Sequence, residues 1–311
     1  MTAPLHPTGH HRMLEAIVAA VGRVLLGKEK QIRLSLACLL ARGHLLIEDL
    51  PGMGKTTLAH GLANALGLSY NRIQFTSDLL PADILGVSIY ESELKSFRFH
   101  PGPIFCQLLV ADELNRTTPK TQSALLEAMA EGQVTIEGET RPLPKPFFVI
   151  ATQNPGSQSG TFPLPESQQD RFALCISLGY PDAVAERRML EGGDPRLQLA
   201  TIKPCISLEQ LLSMQSAVGR IQASPAVLDY LQRLVTYTRT SRAIESGLSP
   251  RAALALLQCA RAWAMIEGRD YVIPEDIQAI FPSLAGHRLQ GETAHQGGAL
   301  VQQVLTAVDI L

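Results

Sequence analysis

The chain has 311 residues, 46% of them hydrophobic, enough to bury a sizeable core in about two domains, one larger than the other. Its 27 Lys and Arg against 29 Asp and Glu leave a net charge of −2 and a pI near 6.5, so it lacks the global basic field of a dedicated DNA-binding protein. The five cysteines (Cys38, Cys106, Cys175, Cys205, Cys259) lie far apart with no CxxC pair, which argues against a zinc site or a disulfide framework and for free thiols in a reducing cytoplasm.

The N-terminus carries His6, His10 and His11 in a polar stretch expected to be solvated, with no signal-peptide core. No apolar run anywhere has the length that spans a bilayer, so the expectation is a cytoplasmic protein without a membrane span. From Met13 to Ala41, Ile17, Val18 and Val21 and then Ile32, Leu36 and Leu39 recur at helical spacing, interrupted by Leu25-Leu26-Gly27: helix, turn, helix. Residues His44 to Glu48 read as a buried strand running into the glycine loop Pro51-Gly52-Met53-Gly54-Lys55-Thr56-Thr57, and Leu58 to Leu66 as the helix after it. Further strands are predicted at Asn71 to Thr76, Leu108 to Ala111 and Phe147 to Ala151, the pattern of a mostly parallel α/β sheet. Between Gln133 and Pro146 the alternation suggests a hairpin with Gly138 and Glu139 at its tip. Beyond Asp182 the chain reads as helix alone, at Ala183 to Leu190, Leu208 to Val218, Pro225 to Thr240, Pro250 to Glu267 and Pro274 to Ile280. The predicted organisation is an α/β domain with its N-terminal helices over 1–182 and a smaller all-α domain over 183–311.

A glycine-rich turn that opens a helix answers the charge of a polyphosphate with converging N–H groups and a helix dipole. Gly52 and Gly54 let the backbone approach, Lys55 reaches the β and γ phosphates, and the Thr56 hydroxyl helps to hold Mg²⁺. The pattern G-x-x-x-x-G-K-[ST] is met except at its first glycine, where Asp49 stands. The run Leu108-Leu109-Val110-Ala111 ends in Asp112 and Glu113, at the strand end where α/β sheets place ligands. Asp112 then contacts Mg²⁺ and Glu113 polarises the water that attacks the γ phosphate. The strand at Phe147 to Ala151 brings the Asn154 amide to the same edge, where it orients the water or touches the γ phosphate; an Asx turn before Pro155 is the plainer reading of that asparagine.

These residues, with Asp112-Glu113-Leu114-Asn115-Arg116, Ala151-Thr152-Gln153-Asn154-Pro155, Phe162-Pro163-Leu164-Pro165-Glu166, Asp170-Arg171-Phe172 and Gly247-Leu248-Ser249-Pro250-Arg251-Ala252, resemble the MoxR branch of the AAA+ ATPases from about Leu25 to about Asp276. An acidic residue at the first loop glycine is usual there. The resemblance implies a P-loop NTPase fold with a helical lid, a pre-sensor hairpin at Gln133 to Pro146 and a helix-2 insert at Gly86 to Pro103. It implies that Asn154 is sensor 1, Arg171 an arginine finger serving a neighbouring subunit, and Arg251 the sensor 2 arginine, acting in its own or a neighbouring subunit. Leu25-Leu26-Gly27 resembles the stretch that lines the adenine pocket. A salt bridge from Arg171 to Asp170 or Glu166, and plain surface charge for Arg251, are the alternatives.

At the level of function, the resemblance implies a Mg²⁺-dependent ATPase, a homo-oligomer in a hexameric ring with ATP between subunits, acting as a chaperone-like remodelling or maturation factor on a protein client with a von Willebrand factor A domain partner. The alternatives are a nucleic-acid motor, against which stand the mixed charges Glu137, Glu139, Arg141 and Lys145 of the hairpin, and a metal-chelatase subunit.

Overall fold

The sheet and its hairpins lie between Leu45 and Ile176, in a computed structural model that describes residues 7–93, 95–154, 161–191, 198–290 and 297–310. In chain order the strands are β1 (Leu45–Glu48), β2 (Tyr70–Gln74), β3 (Gly86–Glu91), β4 (Ser96–Pro101), β5 (Leu108–Asp112), β6 (Gln133–Ile136), β7 (Glu139–Pro142), β8 (Phe148–Gln153) and β9 (Leu174–Ile176). Five of them form one parallel sheet in the order β2-β5-β8-β1-β9. Every residue of β5 and β8 is buried, because helices cover both faces of a parallel sheet, and this is why both read as continuous apolar runs. Pairing aligns Ala111 with Ala151 and Glu48 with Gln153, so the segments after β5, β8 and β1 leave the sheet at one edge.

Helices α1 (Pro7–Gly22) and α2 (Glu29–Leu40) precede β1, and α3 (Lys55–Leu66) follows it, stopped by Gly67 in the left-handed conformation that closes helices. Helix α4 (Pro81–Leu85) leads into the antiparallel hairpin β3–β4, while α5 (Pro119–Glu131) leads into the hairpin β6–β7. The turn of the second hairpin is Glu137-Gly138, both at positive φ, which suits the strand twist; Glu139 already pairs with Ile136, so the tip lies one residue earlier than predicted. The remaining helices are α6 (Glu166–Gln169), α7 (Ala183–Glu191), α8 (Leu208–Val218), α9 (Pro225–Thr240), α10 (Pro250–Ile266), α11 (Pro274–Ala285) and α12 (Gly297–Ala307). Ser207, Ser224 and Ser249 cap α8, α9 and α10 through hydroxyls that accept from the backbone N–H three residues on, each cap contributing about 1 kcal/mol.

The sequence reading departs from the structure in several places. Helix α11 runs through Pro282 instead of stopping near Ile280, because Phe281, Leu284 and Ala285 are fully buried and their packing outweighs the lost backbone bond. Strand β9 and helix α12 had no prediction. Helix α1 begins at Pro7, and His10, expected in solvent, is buried within it, so burial first and Arg220 second lower its pKa. The neighbouring His11 donates from Nδ1 to the Ile266 carbonyl at 2.6 Å, while His6 lies outside the described residues.

Alternate residues of the strands feed two cores. Leu45, Ile47, Val110 and Ile150 join α1, α2 and the helices from α8 onward, whereas Leu46, Ile73, Leu109 and Val149 face α5. Helices α1 and α2 therefore share one continuous core with α10 and α11, through Ile17, Ile32, Leu36, Leu256 and Ile280. Among the described residues no helix is long and apolar enough to cross a membrane.

Candidate functional site

The loop from Asp49 to Gly54 joins β1 to α3. Gly52 and Gly54 have φ of 86° and 89°, a region closed to most side chains, and a Cβ on Gly54 would stand 2.9 Å from Leu25 Cδ1. Lys55 begins α3 with only 8% of its surface exposed; its Nζ donates to the Asp49 carbonyl at 2.6 Å and to Asn154 Oδ1 at 3.2 Å. Burial lowers the Lys55 pKa, and the charges of Asp112, Asp49 and Glu113 oppose that. Asp49 has no left-handed backbone, so glycine is not required there. Its carboxylate instead accepts four bonds: Oδ2 from Ser177 Oγ (3.1 Å) and the Leu178 and Gly179 N–H groups (both 2.7 Å), Oδ1 from the Leu50 N–H (2.8 Å). The side chain thus ties the loop to the chain that runs from β9 toward α7.

Asp112 ends β5. Its Oδ1 accepts from Thr152 Oγ1 at 2.5 Å and its Oδ2 from Arg72 Nη2 (2.5 Å) and Nε (3.1 Å). Glu113 follows with φ 56° and ψ 47°, a left-handed conformation that costs a non-glycine residue roughly 1–2 kcal/mol. Its N–H donates to Thr152 Oγ1 at 2.9 Å, which holds the turn in place. Strain of this kind collects at functional positions. The Glu113 carboxylate accepts from Gln74 Nε2 (3.0 Å) and Asn154 Nδ2 (3.3 Å) and pairs with Arg116 Nε (3.0 Å). Asn154 therefore bridges Lys55 and Glu113.

These groups face a cleft of about 800 Å³, lined also by Pro51, Thr56, Thr57 and His60, with the His60 ring stacked on Tyr70 at 5.0 Å. The predicted residues Pro51, Gly52, Gly54, Lys55, Thr56, Thr57, Asp112, Glu113 and Asn154 all meet there. Met53 turns instead against the core. Leu25 lies against Gly54 of the loop, Gly27 lies against Asp182 and Ala185 at the start of α7, and Leu26 between them is half-buried. Pro155 lies outside the described residues.

Arg171 and Arg251 do not line the cleft. Arg171 donates to the Leu126 carbonyl of α5 at 2.7 Å, and no ion pair forms to Asp170 or Glu166. Asp170 is occupied elsewhere, accepting from Ser249 Oγ at 3.1 Å and from Arg288 Nε at 2.8 Å. Arg251 stands exposed in the first turn of α10.

Sequence reasoning missed Arg72, Gln74, Arg116 and Arg288. The signal for the first two is the pair of polar residues at alternate positions of β2, which register opposite Val110 and Asp112 of β5. Among the described residues no three or more His, Cys, Asp or Glu side chains group to enclose a metal ion. Thr56 and Asp112 offer oxygen ligands beside a phosphate loop, which fits magnesium, an ion that keeps water and phosphate oxygens in its shell.

Residues 44–174 match the model of the ATPase family associated with various cellular activities (AAA), and residues 236–308 that of the AAA lid domain. The chain is 44% identical to the protein YeaC of Bacillus subtilis, over 96% of this chain and 95% of that one. It is 39% identical to Chaperone MoxR1 of Mycobacterium tuberculosis, over 89% of this chain and 75% of the relative. A crystal structure of a protein from Cytophaga hutchinsonii superposes with a TM-score of 0.87 at 34% identity, over 97% of this chain and 96% of that one.

Proposed function

The chain belongs to the MoxR family of AAA+ ATPases, and on that footing we propose that it hydrolyses Mg²⁺-bound ATP in the cleft between α3 and the ends of β5 and β8, as one subunit of a hexameric ring that remodels or matures protein complexes in a chaperone-like way. The observation that carries the reading is the hydrogen-bonded series Lys55–Asn154–Glu113 beside Asp112 and Thr56.

The loop N–H groups and the start of α3 receive the phosphates, and Lys55 leaves the Asp49 carbonyl for the β and γ oxygens. Magnesium, when bound through Thr56 and Asp112, supplies neutralisation of the phosphate charge. Glu113 acts as the base or water-orienting group, for which its carboxylate must first shed Arg116 or Gln74; Asn154 then aims the water. Leu25, Leu26 and Gly27 supply the adenine side. Arg171 and Arg251 lie away from the cleft of their own subunit, which supports roles at a shared interface where Arg171 acts as the finger on the neighbour's nucleotide. The name of the relative Chaperone MoxR1 favours a protein client; the partner proposed with it, a von Willebrand factor A domain protein, rests on the family resemblance alone. In the hairpin β6–β7, Arg141 is paired with Glu139 and lies 4.1 Å from the Phe99 ring centre, which leaves it poorly placed for a nucleic-acid backbone.

Glu113→Gln tests the reading. ATP binding should persist while turnover falls by roughly a hundredfold or more, measured by nucleotide titration and phosphate release. Turnover equal to that of the parent would move the water-positioning role to another residue.

A further inference from the structure

Arg72 has no place in the reaction so far, yet its guanidinium is paired directly with the carboxylate assigned to magnesium. It projects from β2, one strand away from β5, and puts two N–H groups on one oxygen of Asp112, Nη2 at 2.5 Å and Nε at 3.1 Å; Nη2 also reaches Gln74 Oε1 at 3.3 Å. The other oxygen of Asp112 is capped by Thr152. Lys55, which also lines the cleft, spends its hydrogen bonds among the described residues on the Asp49 carbonyl and on Asn154. The positive charge directly on Asp112 is therefore that of Arg72.

We propose that Arg72 is the resident counter-cation of the magnesium seat: it holds Asp112 Oδ2 and competes for that oxygen with an incoming metal–nucleotide complex, so that it sets how strongly nucleotide binding depends on the metal. The inference rests on the magnesium-ATP reading of the cleft. A carboxylate oxygen has about two sites for donors or cations, and the guanidinium fills those of Oδ2. A guanidinium stays charged at any working pH, so it cannot yield by losing a proton; it yields by rotating away. Room for that exists, since 46% of the Arg72 side chain is exposed against 11% for Asp112. Without the metal, the same charge screens Asp112 from the incoming phosphates. Arg72 thus favours metal-free nucleotide and opposes the metal-bound form, and both effects diminish the advantage that magnesium confers.

The test is the ratio of two dissociation constants for a fluorescent, non-hydrolysable ATP analogue on the full chain, one with excess chelator and one with saturating magnesium. In Arg72→Gln the ratio should rise by about fivefold, the size expected of a half-exposed pair, while Arg72→Lys, a single point charge, should fall between the variant and the parent. Thermal melts establish that both variants fold. A ratio that stays at the parent value or falls, including through equal weakening of both constants, overturns the proposal and makes Arg72 a support of β2. A parent ratio of one is a different failure: it removes magnesium from the site, and this inference with it.

Discussion

Asp49 shows how one departure from a motif acquires a function of its own. Restoring the motif with Asp49→Gly removes the acceptor for the Leu178 and Gly179 N–H groups and leaves the buried Leu178 donor without a partner. The expected loss is about 2–4 kcal/mol, read as a melting temperature several degrees lower, together with weaker nucleotide binding from a loop no longer tethered. An unchanged melt and unchanged affinity would show that the carboxylate is idle. The loop and the acids Asp112 and Glu113 were legible in the sequence because each sits beside a strand that announces itself by an apolar run. The partners Ser177, Leu178 and Gly179 of Asp49 were not, for they lie 128 to 130 residues away and arrive only through the pairing of β1 with β9. Arg72 and Gln74 were hidden for the same reason: their reach to Asp112 and Glu113 depends on β2 lying beside β5, and strand order is not written in a local pattern.

At the scale of elements, His44 is the fastening between β1, β8 and α5. Its Nδ1 accepts from the Val149 N–H at 3.1 Å and its Nε2 donates to the Met129 carbonyl at 3.2 Å, an arrangement only a neutral ring can make. Burial pushes its pKa down to about 4, so the folded protein keeps the ring neutral where the unfolded chain, with an ordinary value of 6.5, takes up a proton. Stability from this residue is full above pH 6.5 and is lost as the pH falls toward 4. His10 and His287, both shifted downward chiefly by burial as well, act in the same direction. Urea unfolding at pH 7 and pH 5 should therefore show a loss of about 2 kcal/mol or more, on the order of 1.4 kcal/mol per pH unit for each titrating ring. A flat profile over that interval would mean that these rings are hydrated in solution. Capped amphipathic helices such as α8 and α9 were legible to the residue, because Ser207 with Gln210 marks the start of α8 and Ser224 with Pro225 that of α9. Strand β9 was not: three residues, Leu174, Cys175 and Ile176, are too few for any periodicity, and only the neighbouring β1 makes them a strand.

At the scale of the whole molecule, the chain alone holds a cleft without the two arginines that the family resemblance assigns to it. If Arg171 serves the adjoining subunit, Arg171→Ala and Glu113→Gln proteins should each be nearly inactive, and mixing them should restore turnover. In a random equimolar ring roughly a quarter of interfaces join an intact Glu113 to an intact Arg171. Energy transfer between labelled chains must first show that subunits exchange; with exchange present and no gain over the sum of the two variants, Arg171 reverts to a strut against the Leu126 carbonyl. The junction around Asp170 bears on how such a ring would work. Asp170 is gripped by Ser249, which opens the helix bearing Arg251, and by Arg288, which is 7% exposed and also donates to the carbonyls of Phe172, Ala173 and Leu284. One peptide unit further on stands Arg171. A rotation of α10 and α11 that preserved these bonds would carry Arg171 with it; in a ring of the kind proposed, the two arginines would then be the ends of a single rocker arm, and a tilt of the lid over one nucleotide would also move the charge offered to the next.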